Sequence, residues 1–392
     1  MALTMANVIT EVTNQSVFGR LGNSFVGALF GVALLIGSIV LLFWNEGRAV
    51  ATAKSLREGA ATVIDVPSDT VNSANESKLI HVTGETAVTQ SLEDPLFNIS
   101  ESALRLRRNI EVYAWKEKKE SKSRDKIGGG KETTTTYSYE KVWAPDLIKS
   151  SSFKSAEDHR NPTKLEIPKK EFVATDATLG QFRLTPQIIE KIQGDAAVEA
   201  TDEQLAKVSE KFQSKLKVDG NVYYLGADPA SPEIGDEKIS FTVLRPGTLS
   251  VVAAQAKQSF TPYLTANERE IELVETGNVS AAQMFAHAQA ANRTLTWILR
   301  AVGFGAMFFA GMLVLGPISA LARIIPFMGS LVQMGFALVS FFLSAILSLL
   351  VIAVAWVVYR PLLGIALILV AVACIVMLKR LHTKHVAAAA PA

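Results

Sequence analysis

The sequence predicts an α+β exoplasmic domain inserted between spans 1 and 2 of a four-helix transmembrane anchor. Three observations predict it. Ser24 to Trp44 carries no charge, and twenty-one helical residues at about 1.5 Å each reach roughly 30 Å, one bilayer hydrocarbon core. Three further apolar runs gather near the C-terminus. Between the first run and the other three lies a block of ordinary soluble composition. Across the whole chain 49% of residues are apolar and 19% charged, the balance of a membrane protein that also carries a sizeable water-facing part.

Residues 1–23 read as a cytoplasmic lead, polar, with one acid, Glu11, and one base, Arg20. Transmembrane helix 1 is 24–44 and ends abruptly in Trp44-Asn45-Glu46-Gly47-Arg48. An amphipathic ring followed at once by an acid and a base suits the headgroup level. A cleaved signal peptide is the alternative, but its apolar region is shorter and small residues follow it. Residues 45–296 form the large domain. Transmembrane helix 2 is 297–318, interrupted only by Arg300, and helix 3 is 329–358, without a charge. Thirty residues exceed one upright crossing, so helix 3 is expected to tilt or kink. Helix 4, 362–378, is at the lower length limit, where a re-entrant segment is the alternative. Residues 379–392 form a cytoplasmic tail.

Within the domain, Ala60 to Val66 and Lys78 to Gln90 are rich in Val, Thr and Ile and read as strands. Ala103 to Trp115 and Thr133 to Trp143 follow, with Ile110, Val112 and Ala114 opposite Glu111, Tyr113 and Trp115. The charged stretch KEKKESKSRDKIGGGK between them predicts a long hairpin with a mobile tip. Thr185-Pro186 and Thr201 to Gln204 open helices, the second running to about Lys215. Strands are expected at Asn221 to Leu225, Lys238 to Leu244, Thr248 to Ala256 and Ser259 to Leu264. Ser280 to Gln283 is a capping box whose helix runs into span 2 as a rigid stalk.

Four alternating spans put Trp44, Trp297, Trp356 and Tyr359 at one interface, the one facing the domain. Near-membrane bases do not settle orientation by count. The acid-free tail KRLHTKH favours a cytoplasmic C-terminus, leaving the domain periplasmic or lumenal.

The chemistry classes can be narrowed. A net charge of +2 argues against nucleic-acid binding driven by phosphate neutralisation. The single cysteine, Cys374, lies in an apolar run, no two histidines of the large domain stand at metal-ligand spacing, and His382 and His385 on the tail read as solvated charge, so no metal or cofactor site is expected. Gly128-Gly129-Gly130-Lys131 lacks the glycine spacing of a phosphate loop, and Glu132 replaces its Ser or Thr. No catalytic motif is present, although a site assembled from distant residues stays open.

The richer constellation is interfacial: Trp44, Asn45, Glu46, Arg48, Trp297, Arg300, Trp356, Tyr359, Arg360 and Pro361. Ionisable groups near lipid are costly unless paired or snorkelling. Glu46 is therefore expected to pair with Arg300 or Arg360, the alternative being that each reaches headgroups alone. Gly27/Gly31 and Ala301/Gly305 offer small-residue packing, within the chain or between copies.

Several of these stretches are similar to one known family. FGRLGNSFVGALFG, FWNEGRAVATAKSLREGA, HVTGE (81–85), LRLRRNIEVYAWKE (104–117), LGQFRL (179–184), TWILRAVGFGAMF (296–308) and WVVYRPLLG (356–364) resemble the transmembrane protein 43 family, also called LUMA. The charged hairpin tip and the final HVAAAAPA fall outside the resemblance. The resemblance implies four spans with the large domain between the first two, in the ER lumen or perinuclear space in animal members. It further implies self-association, a link to nuclear-envelope organisation and no catalytic residues to carry over. The style of the chain suggests a bacterial member, in which the domain would be periplasmic and the anchor in the inner membrane. The expected function is a self-associating scaffold that structures the membrane or recruits other membrane proteins through its exoplasmic domain. A channel subunit and an enzyme on lipid or envelope substrates are the rival readings.

Overall fold

A computed structural model describes residues 8–126, 130–322 and 328–361, together with 366 and 369. Apart from those last two, the expected fourth span (362–378) lies outside the described residues, as does the tail 379–392. The chain divides into two compact units. One comprises residues 1–13, 57–122 and 133–287, the other 14–56, 123–132 and 288–392.

The first unit is the α+β domain. Its larger sheet runs in the order β1 (Val8–Gln15), β7 (Lys131–Ala144), β6 (Arg105–Asp125), β14 (Glu237–Leu244), β13 (Val222–Leu225), β12 (Leu216–Asp219). β8 (Lys170–Val173) also pairs with β6, and β11 (Ala196–Val198) with β14. The alternation read from 103–115 holds: Leu106, Ile110, Val112 and Ala114 are buried. Leu106 and Ile110 face a core of Phe97, Tyr223, Ile239, Phe241 and Val243. The charged stretch is a regular part of β6 out to Asp125. Cross-strand partners such as Lys118–Glu140 (2.8 Å) and Ser121–Thr135 (3.0 Å) carry the pairing through residues that have no core to bury.

The second sheet orders β19 (Leu273–Thr276), β15 (Thr248–Ala256), β16 (Ser259–Thr261), β10 (Phe182–Arg183), β9 (Thr178–Leu179), β3 (Leu79–Ala87) and β2 (Ile64–Pro67). β15 also pairs with β3 from Thr248↔Glu85 to Ala254↔Leu79, so five strands close a circuit around Ile80, Val82, Leu179, Phe182, Val251 and Phe260. The turn between β9 and β10 requires glycine. Gly180 has φ +58°, and a Cβ there would stand 2.2 Å from the Ser68 carbonyl oxygen. Two short hairpins, β4–β5 (Leu92–Asp94, Ile99–Glu101) and β17–β18 (Tyr263–Leu264, Glu270–Ile271), complete the strands.

The helices differ from expectation in instructive ways. α1 (Val17–Thr62) continues eighteen residues past Trp44, so the strand expected from Ala60 begins only at Ile64. α2 (Pro186–Lys191) starts as expected, Thr185 Oγ1 accepting from the Ile188 N–H at 3.3 Å. The helix expected from Thr201 to Lys215 is instead two turns, α3 (Asp202–Leu205) and α4 (Glu210–Gln213). Half of its capping box forms, with Thr201 Oγ1 accepting from the Gln204 N–H at 3.2 Å. The Gln204 side chain donates instead to the carbonyls of Phe97 and Asn98, at 2.7 and 2.9 Å.

The second unit is helical. α5 (Ala281–Val314) runs as one continuous helix through the stretch expected from Ser280 into span 2, capped by Ser280 against the Gln283 N–H at 3.4 Å. α6 (Gly316–Ala322) follows after a break at Leu315, because Pro317 has no N–H for the carbonyl four residues back. α7 (Met328–Tyr359) is the third long helix. By length and composition α1, α5 and α7 can each cross a bilayer. The end of the hairpin, 123–132, belongs to this unit. Lys126 Nζ donates to Asn14 Oδ1 at 2.7 Å and pairs with Glu132 at 2.8 Å.

Candidate functional site: a buried carboxylate joining three helices

α1, α5 and α7 meet around Glu46, which is fully buried. Arg300 on α5 approaches it side-on, Nε donating to Oε1 at 2.6 Å and Nη2 to Oε2 at 2.9 Å. Trp356 on α7 donates its indole N–H to the same Oε2 at 2.8 Å. Planar guanidinium and planar carboxylate make a two-point contact, the geometry in which an ion pair out of water offsets most of its desolvation cost. Of the two arginines expected as partners for Glu46, the structure selects Arg300. Arg360 lies over the Trp356 ring instead, 5.9 Å from its centroid, and its backbone N–H closes the last turn of α7 on the Trp356 carbonyl at 2.8 Å. Pro361 follows, exposed. Arg300 also stacks on Trp297 at 4.7 Å and Trp356 at 5.8 Å.

A second layer of polar contacts lies one turn further along. Asn45 Nδ2 donates to the Thr296 carbonyl at 3.1 Å. Arg48 reaches Asn45 Oδ1 (3.1 Å), Thr296 Oγ1 (3.0 Å) and Asn292 Oδ1 (3.0 Å). Asn292 Nδ2 returns to the Ala49 carbonyl at 3.0 Å. Asn292 and Thr296 went unnoticed in the sequence. The signal that finds them is helical spacing: with Arg300 they stand at i, i+4 and i+8 on one face of the stalk.

Packing closes the cluster. A Cβ on Gly47 would lie 2.6 Å from the ring of Tyr359, and Phe43 meets that ring at 5.3 Å between centroids. Gly303 admits Leu42, which is fully buried, and Gly31 admits Leu313 and the Ala310 carbonyl. Gly27 makes only ordinary contact, its Cβ position 3.9 Å from Leu313. Ala301 is exposed and a Cβ on Gly305 would meet nothing within 4 Å, so this pair has no use within the described residues. Trp44 (54% exposed) and Trp297 (67%) turn outward at the level of the ion pair, the orientation of an interfacial belt.

The arrangement ties three helices together at one carboxylate. Three donors converge on the two oxygens of Glu46. Among the described residues no group of three His, Cys, Asp or Glu side chains could hold a metal ion.

Comparison with known proteins locates this cluster in a family. The family described as Transmembrane protein 43 matches residues 112–361, which include Arg300, Trp356 and Arg360. Transmembrane protein 43 of Mus musculus is 31% identical over 365 residues, covering 90% of each chain. That of Homo sapiens is 30% identical over 354 residues, covering 88% of this chain and 87% of its own. The Transmembrane protein 43 homolog of Drosophila melanogaster is 28% identical over 353 residues, covering 87% and 91%. No solved structure matches. These three relatives are animal proteins and carry no sign of a bacterial source. With a family match over more than half its length, the chain belongs to the Transmembrane protein 43 family.

Proposed function

We propose that the protein is a self-associating membrane organiser: a clamped helical anchor that presents an α+β domain and assembles copies of itself in the bilayer. One observation carries the reading. α5 packs one face, Gly303, Met307 and Ala310, within its own unit and, among the described residues, leaves the other, Ile298, Ala301, Val302 and Gly305, open. In lipid an open apolar face costs nothing, but small residues spaced four apart let a second helix approach closely. The polar clamp around Glu46 supports the same reading, because a rigid anchor presents that face in a fixed direction. Recruitment of other membrane proteins through the domain is the further part of this proposal.

Mass measurement of the purified protein in nanodiscs tests it. Multiples of one chain mass are expected for the native protein, and a shift to single chains for Ala301→Leu with Gly305→Leu. Single chains for the native protein would overturn the proposal.

A further inference from the structure

His81 on β3 lies between the core residues Ile80 and Val82 and so turns to the other face of the second sheet, where it is nonetheless buried. Its ring stands between two oxygens. Nδ1 is 2.6 Å from Asp65 Oδ1 on β2, and Nε2 is 2.9 Å from the carbonyl of Val279, which immediately precedes the α5 cap Ser280. A carboxylate and a carbonyl only accept, so each ring nitrogen has to bring a proton. The neighbouring hydroxyls agree. Ser250 Oγ donates to the Gly277 carbonyl at 2.8 Å and accepts from the Val279 N–H at 3.0 Å. With its own proton used, it meets Thr83 Oγ1, 2.8 Å away, as an acceptor. The Thr83 proton therefore points to Ser250, and at 3.2 Å Thr83 Oγ1 is a further acceptor for Nε2 rather than a nucleophile the ring could deprotonate.

We propose that His81 is a pH-operated latch: doubly protonated, it fastens the segment 277–279 at the start of α5 to β2 and β3, and on losing a proton it releases one side. A neutral imidazole has one N–H for these two acceptors. With the proton on Nδ1 the Val279 carbonyl faces a lone pair; with the proton on Nε2 the Asp65 carboxylate does. Imidazoles change charge between about pH 5 and 8, so the latch is closed at the acid end and open at the alkaline end. Among the described residues Asp65, from β2, is the charged group in contact with the ring. β15 presents Ser250 and Val252, which are uncharged, and on β3 Glu85 accepts from Thr248 Oγ1 at 2.5 Å. β19 and α5 contribute Glu275 and His287, which pair with each other at 2.9 Å. At the end of α1, Glu58 accepts from the Ala266 N–H at 3.0 Å.

The test is amide hydrogen exchange of the full chain in nanodiscs from about pH 5.5 to about pH 8.5, a range that brackets imidazole titration. Each rate is divided by that of the unfolded peptide at the same pH. Protection across 277–283 is expected to fall about tenfold as pH rises, the scale of one charge-assisted hydrogen bond. His81→Gln is expected to show the weaker protection at every pH. Asp65→Asn, at a side chain 83% exposed, keeps an acceptor for Nδ1 but removes its charge, and is expected to move the fall to lower pH. His287→Gln is expected to leave the fall in place. Protection in the native protein that does not change with pH would overturn the latch, as would the same fall in His81→Gln. Loss of the fall in His287→Gln would overturn it in favour of the Glu275 pair. If His81→Gln does not fold, an unmoved fall in Asp65→Asn overturns it instead.

Discussion

Trp356 and Arg300 meet on one oxygen of Glu46: the indole N–H at 2.8 Å and a guanidinium N–H at 2.9 Å both end on Oε2. The same carboxylate is thus shared by α5 and α7 while belonging to α1. Removing any member leaves the others buried and under-satisfied, which makes the cluster sensitive to single changes and open to rescue by paired ones.

Glu46→Ala leaves the Arg300 charge without its partner. A loss of about 3–5 kcal/mol is expected, the usual cost of breaking one side of a buried pair, read as a fall in the melting temperature of the detergent-solubilised protein. Exchanging the charges, Glu46→Arg with Arg300→Glu, is expected to recover part of the loss. Pairing Glu46→Arg with Arg360→Glu is expected to recover none, since Arg360 lies over Trp356 rather than on the carboxylate. Rescue by Arg360 instead of Arg300 would refute the assignment.

Gly47 is the point where α1 comes against Tyr359. Gly47→Ala puts a methyl group 2.6 Å from that ring and is expected to cost about 1–3 kcal/mol through overpacking. The cost should shrink in a Tyr359→Ala background. A double-mutant cycle on melting temperatures checks it, and simple additivity of the two changes would show that they do not touch.

In the domain, Glu237 is 1% exposed and accepts from the N–H groups of Glu166 and Ile167 at 2.6 and 3.0 Å. Burial holds its carboxyl above the ordinary carboxylate range, against the lowering effect of those two donors. The folded state therefore keeps the proton more tightly than the unfolded chain. Stability is expected to fall as pH rises from the unfolded-state value of about 4.3 through the higher folded value. Glu237→Gln should flatten that part of the stability–pH curve. It should also cost about 1–3 kcal/mol, because an amide has one acceptor oxygen for two N–H groups. Denaturant melts at a series of pH values measure both effects, and an unchanged slope would show that another group sets it.

Lys126 donates to Asn14. A short bismaleimide linker is expected to join cysteines at these two positions within one chain, in membranes and in a Cys374→Ser background. Failure to join, with reporters near residues 10 and 125 found in opposite compartments, would separate the hairpin end from the lead in the bilayer.

Much of the domain was legible because β6 and β15 announce themselves: one by strict alternation at Leu106, Ile110, Val112 and Ala114, the other by a nearly continuous buried run from Leu249 to Gln255. β1 was not. VITEVTNQ has strand residues but no amphipathic pattern, and a strand without a buried face exists only by courtesy of the edge it joins, here β7. The break between α3 and α4 was hidden for a related reason. The capping signal at Thr201 is local, whereas the carbonyls that draw away the Gln204 amide, at Phe97 and Asn98, are a hundred residues distant.

What the sequence by itself determined was which stretches tolerate lipid and where each apolar run meets polar residues; whether Glu46 pairs with a cation or reaches headgroups alone it left open. Length and the absence of charge act locally, so one chain suffices to read them. Only the tertiary structure decided that the cation is Arg300, that Trp356 shares the carboxylate, and that Asn292 and Thr296 extend the contact. That choice depends on helix rotation and on close approach at Gly47, Gly303 and Gly31. Both are settled by side-chain volumes meeting across helices, a fact that no single helix carries in its own composition.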